Sequence, residues 1–75
     1  MERLNLRQLE IFSAVVDAGS FTAAAEKLYL AQSTVSDNVR ALEELLHLKL
    51  FHRESKRRLT LTLEGKRVYR YAQDI

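Results

Sequence analysis

A mainly α-helical domain carrying a small β-hairpin is the fold that three features of the sequence predict. Apolar residues recur at helical spacing in three stretches: between Leu6 and Val16, between Val35 and Leu46, and between Val68 and Ile75. Between the first two lies a short Ala-rich segment bounded by Gly19-Ser20 and by the three residues Tyr29-Leu30-Ala31. After Leu46 the period changes to alternation, in "KLFHR" and again in "RLTL".

The first helix is predicted from about Leu6 to Ala18. Leu6, Leu9, Phe12 and Val16 make one apolar face, and Leu4, Ile11 and Val15 make a second strip rotated away from it. A helix apolar on two faces needs two partners: the domain core, and either a later helix or a second subunit. Gly19 suits the left-handed residue after a helix end, and Ser20 is a good N-cap for the next helix, Phe21 to Leu28. That helix is built around Ala23, Ala24 and Ala25, small residues that let a neighbouring helix approach closely. A third helix starts near Gln32, with Val35, Val39, Leu42 and Leu46 as its apolar stripe. Helix, short turn, helix is the helix-turn-helix pattern, here about residues 21–40. The two alternating runs flank the polar tip Glu54-Ser55-Lys56-Arg57 and read as a two-stranded wing. Thr62 then caps a last helix whose stripe is Val68, Tyr71, Ala72 and Ile75.

The expected architecture is thus a winged helix-turn-helix over residues 4–61, with a three-helix core, followed by the start of a further helix over 62–75. Seventy-five residues suffice for one domain near the lower limit for a self-sufficient core. Cysteine is absent, which rules out disulfides and thiolate metal sites and makes an intracellular location the simpler expectation. No apolar run has the length of a membrane span, and no signal-peptide pattern is present. The net charge of +2 conceals an asymmetry. Residues 1–48 carry four bases against seven acids, whereas residues 49–75 carry eight bases against three acids. Such an uneven charge points to a polyanionic partner for the C-terminal part, although a charged hairpin tip is often merely solvated.

The segments "LRQLEIF", "GSFTAAAEKL", "AQSTVS", "VRALEELL", "LKLFHR" and "LTLEG" occur in order along nearly the whole chain. This set resembles the N-terminal DNA-binding domain of LysR-type transcriptional regulators. The resemblance implies a winged helix-turn-helix whose second motif helix enters the major groove of double-stranded DNA. It also implies a homodimer formed through a linker helix beginning near Thr62. Small-molecule effectors would act only through a larger domain that this chain does not contain. A cytoplasmic, nucleoid-associated protein without enzymatic activity follows as the expectation.

With that frame, the solvent side of the third helix acquires a reason. A helix lying in the major groove must approach base edges closely, so short hydrogen-bonding residues suit it better than long charged ones. Gln32 is the best base reader, because its amide pairs with N6 and N7 of adenine. Ser33, Thr34 and Ser36 reach bases or phosphates, and Arg40, one turn beyond Ser36, reaches a phosphate or a guanine. Positioning contacts fall to Ser20 and Thr22 at the start of the Ala-rich helix, and to Arg53, Lys56, Arg57 and Arg58 on the wing. Val68, Tyr71, Ala72 and Ile75 are the expected dimerisation stripe.

Two positions depart from the family pattern. Asp37 stands where the family usually has arginine; either it accepts from a cytosine amino group and selects against most sites, or it pairs with Arg40 at i+3. His47 stands where the family prefers glycine, and reads as a helix cap tolerating a positive φ more readily than as a pH sensor. Tyr29, in the turn, reads as an aromatic at the core edge ahead of the alternative, one leaning on the backbone. Glu43 and Glu44 read as helix-surface acids, or as partners for Arg40 and a nearby base. No metal-ligand spacing, nucleophile–base set or phosphate-binding glycine loop is present, so neither cofactor nor metal is expected. A protein-interaction module and a weakly specific architectural DNA binder are the competing functions.

Overall fold

The computed structural model describes residues 5–52 and 59–74. Among the described residues there are four helices: α1 (Leu6–Ala18), α2 (Phe21–Leu28), α3 (Gln32–Leu46) and α4 (Leu63–Gln73). Between α3 and α4 lie two short strands, β1 (Phe51–His52) and β2 (Thr60–Leu61). They pair antiparallel, with Phe51 opposite Leu61 and His52 opposite Thr60. The mainly α winged helix-turn-helix expected from the sequence is the fold observed, with two residue pairs of the wing ladder among the described residues.

Each helix boundary has a local cause. Asn5 Oδ1 accepts from the Arg7 N–H at 2.8 Å and opens α1. Gly19, at φ 84°, closes α1 in the left-handed region, and its N–H donates to the Val15 carbonyl. Ser20 Oγ accepts from the Ala23 N–H at 3.0 Å, and Thr62 Oγ1 from the Gly65 N–H at 2.8 Å, as both N-caps were expected to do. The α2 and α3 helices end on left-handed residues that are not glycine, Tyr29 and His47, each at φ 57°.

The core is a single cluster. Leu9, Ile11, Phe12 and Val15 of α1 meet Ala24 and Ala25 of α2, Val35, Val39 and Leu42 of α3, and Leu50 and Phe51 at the start of the wing. Phe51 joins the layers, its ring lying 5.4 Å from that of Phe12 and 5.6 Å, edge-on, from that of Phe21. Tilted aromatic pairs at such distances add about 0.5–1.5 kcal/mol each beyond their burial. Buried residues on α1 come from both expected strips, because α2, α3 and α4 all pack on it. Leu6, by contrast, is exposed, and Leu4 lies outside the described residues.

Two expectations are corrected. Tyr29 is not at the core edge: it is 94% exposed, because its left-handed backbone carries the side chain out of the turn. Glu43 is not a surface acid but is buried, at 3% exposure. Among the described residues no helix is long and apolar enough to cross a membrane.

Candidate nucleic-acid interface

The orientation of α3 is fixed by the residues it buries. Val35, Val39 and Leu42 have no exposed surface, so the opposite side of the helix is forced outward. That side presents Ser33, Asp37 and Arg40 to solvent, with Thr34 exposed beside them and Ser36 half-buried at the edge, while Gln32 is exposed as the first residue of the helix. Helical spacing aligns Gln32, Ser36 and Arg40 along one row, and Ser33, Asp37 and Arg40 along the next. Arg40 and Asp37 pair at 3.4 Å, their side chains 60% and 72% exposed. So exposed a pair contributes only about 0–1 kcal/mol and gives way readily to a competing partner. Asn38 is turned back on its own helix, donating from Nδ2 to the Thr34 carbonyl at 2.8 Å.

The N-terminal end of this face is open. Ala31 occupies the N-cap position and supplies no side-chain acceptor. The Thr34 N–H donates to the Ala31 carbonyl at 3.0 Å, and the N–H groups ahead of it, with the positive end of a 15-residue helix dipole, lie toward whatever approaches Gln32. Anions bind such ends readily. At the start of α2, Ser20 spends its acceptor on the Ala23 N–H but keeps a hydroxyl proton to donate, and Thr22 is exposed.

The C-terminal end of α3 is closed by hydrogen bonds. Glu43 Oε2 accepts from the buried Leu50 N–H at 2.8 Å, tying the last turn of α3 to the wing. The Leu50 carbonyl accepts from the Thr62 N–H at 3.0 Å, and the Thr62 hydroxyl donates to the Lys49 carbonyl at 2.6 Å. Gly65 completes the knot: a Cβ there would sit 2.1 Å from the Leu50 carbonyl oxygen. Both strands of the wing and the first turn of α4 are thereby hung from the end of the helix that carries the polar face.

Of the expected site residues, Ser33, Ser36, Asp37 and Arg40 share one face of α3, Gln32 and Thr34 are exposed in its first turn, Ser20 caps α2 and Thr22 lies in its first turn. The wing bases Arg53, Lys56, Arg57 and Arg58 lie outside the described residues, as does Ile75. In the C-terminal stripe, Val68 and Ala72 are half-buried against the chain's own core and Tyr71 is exposed. Tyr69, not counted in that stripe, also packs on the core. Among the described residues no group of His, Asp and Glu is placed to hold a metal ion.

Glu43 and Gly65 are the positioning residues that periodicity missed. Helical arithmetic contains the signal for Glu43, which falls between Val39 and Leu46 on the buried side. For Gly65 the signal is a glycine inside a helix, which marks close backbone approach.

The model of the bacterial regulatory helix-turn-helix proteins of the lysR family matches residues 6–66. The RuBisCO operon transcriptional regulator of Allochromatium vinosum is 44% identical over 72 residues, which is 96% of this chain and 24% of that protein. The HTH-type transcriptional regulator CrgA of Neisseria meningitidis is 45% identical over 73 residues, 97% of this chain and 24% of the relative. The chain thus spans about a quarter of the length of the curated relatives it matches. A crystal structure of the BenM DBD with benA site 1 DNA superposes with a TM-score of 0.90 at 44% identity, over 95% of this chain and 79% of that one. Full-length OxyR C199D from Pseudomonas aeruginosa superposes at 0.87 and 30% identity, over 97% of this chain and 24% of that one. With helix-turn-helix, wing and most of the sequence matched together, the chain belongs to the lysR family of bacterial regulatory helix-turn-helix proteins.

Proposed function

We propose that this chain is the sequence-specific, double-stranded-DNA-binding part of a cytoplasmic transcriptional regulator and acts by binding, not by catalysis. The observation that carries the reading is the slim polar face of α3, held outward by three fully buried residues and left without a side-chain cap at its leading end. Its relative, the BenM DBD, was solved with DNA. In this reading the N-terminal half of α3 enters the major groove, where Gln32 addresses an adenine and Ser33, Thr34 and Ser36 reach base edges or phosphates. Arg40 reaches a phosphate or guanine once its weak pairing with Asp37 opens. Ser20 and Thr22 hold a phosphate from α2, while Arg53, Lys56, Arg57 and Arg58 follow the backbone or the minor groove. Two copies joined through the linker helix that begins with α4, with Tyr71 and Ile75 at the contact beside Val68 and Ala72, would address two half-sites. Effector control would reside in a domain outside this chain.

Selection of bound duplexes from a random pool tests the reading, repeated with Gln32→Ala. A defined motif from the wild type, with a change confined to one symmetric pair of positions in the variant, is the expected result. Enrichment without a motif would indicate an architectural binder, and no salt-dependent retention of DNA would indicate a protein-interaction module. If about five basic groups per chain neutralise phosphates, log affinity falls with log salt at about −0.9 for each.

A further inference from the structure

The outer turns of α4 meet α1 differently from the inner ones. At its start α4 is held close to backbone: Gly65 lies so near the Leu50 carbonyl that a Cβ would sit 2.1 Å from its oxygen, and the Thr62 N–H donates to that same carbonyl. Beyond it, Val68 and Ala72 pack on the core without directional bonds. Further out, a surface groove runs along the seam between the helices, lined among others by Leu6, Leu9, Ser13 and Asp17 of α1 and by Ala72 and Gln73 of α4. Apolar contact along this seam carries no directional bond that would by itself fix the angle of the outer end of α4.

One hydrogen-bonded chain crosses this gap. The Tyr69 hydroxyl donates to Asp17 Oδ1, and Gln73 Nε2 donates to the Tyr69 oxygen at 2.8 Å. It is the one side-chain hydrogen bond between α1 and α4 among the described residues, and it joins positions 52 apart in sequence. Gln73 lies eight residues beyond the Gly65 pivot, about 12 Å along the helix. A swing of about 10° at the pivot moves that point by about 2 Å, against a base-pair rise of about 3.4 Å.

We propose that Tyr69 and Asp17 set the angle at which the linker helix leaves the reading head, and so determine which spacing between two half-sites the protein accepts. This rests on the reading of the chain as a DNA-binding domain joined through that helix. Gln73 buttresses the phenol, and the latch adds no contact to DNA. It therefore acts on spacing and leaves base choice alone. Acceptance of the phenol proton by Asp17 holds the Tyr69 pKa above its usual value, with burial and the carboxylate charge adding to the rise. The hydroxyl accordingly remains a donor across the physiological range, and the latch is set by geometry rather than by pH.

The test uses duplexes carrying two copies of the selected half-site, with the spacing varied one base pair at a time, bound by the 75-residue chain. The wild type is expected to prefer one spacing about tenfold over its neighbours. Tyr69→Phe, which keeps the ring, and Asp17→Ala flatten this to less than about threefold, while affinity for a single half-site stays within about twofold. Asp17→Asn, which keeps an acceptor oxygen, retains the preference. Superimposable profiles for wild type and Tyr69→Phe would overturn the proposal, as would a wild-type profile flat across spacings. Failure to bind any duplex would instead overturn the DNA-binding reading itself.

Discussion

The two ends of α3 are built in opposite ways. Each has a left-handed non-glycine residue near it, Tyr29 at the close of α2 just before and His47 just after, both at φ 57°. There the likeness ends. The leading end has an alanine for a cap and three exposed polar residues, Gln32, Ser33 and Thr34, whose hydrogen-bonding groups face solvent. At the trailing end a buried carboxylate holds a buried N–H, and the wing and α4 hang from the same carbonyls. A helix that needed only to pack would be capped at both ends. Leaving one end open while locking the other puts the stability in the scaffold and the vacant hydrogen-bonding capacity where a ligand arrives.

Three substitutions probe the two ends. Gly65→Ala strikes the locked end hardest, since its Cβ meets a backbone oxygen that cannot turn aside. It is expected to cost about 2–4 kcal/mol. For a domain of this size that corresponds to roughly 10–25 °C in the unfolding midpoint, read by circular dichroism. Glu43→Ala comes next, stranding the Leu50 N–H in the interior at about 1–3 kcal/mol. In either variant a midpoint equal to the wild type's would mean that the trailing end is not locked. Smallest is Tyr29→Gly, at the open end, where the ring is almost wholly exposed and the backbone is left-handed. Relief of that conformation should raise stability by about 0.5–1 kcal/mol, and a fall on chemical denaturation would mean that the ring packs after all.

Most of the scaffold was legible because it follows local rules. Apolar spacing located the helices, Gly19 and Ser20 marked the first turn, and Thr62 marked the cap of α4. Left-handed backbone at His47 followed from the need to end α3, and the same need at Tyr29 was hidden by an aromatic side chain that invites burial. The reading face was legible as composition, short polar residues opposite a valine–leucine stripe. What the sequence did not disclose was tertiary. A glutamate beside an acidic neighbour looks like surface until the wing folds back and offers it the Leu50 N–H. Similarly, Tyr69 gave no periodic sign of a tie to Asp17, because that bond depends on how α4 crosses α1.

Amide chemical-shift mapping on the isotopically labelled chain, titrated with its selected duplex, tests the contrast most directly. Perturbations are predicted to concentrate at the first turns of α2 and α3, from Ser20 to Ala23 and from Gln32 to Arg40, while the Leu50, Thr62 and Gly65 amides hold their positions. Large shifts at those three amides, with Gln32 to Ser36 unmoved, would contradict the assignment of α3 as the reading helix.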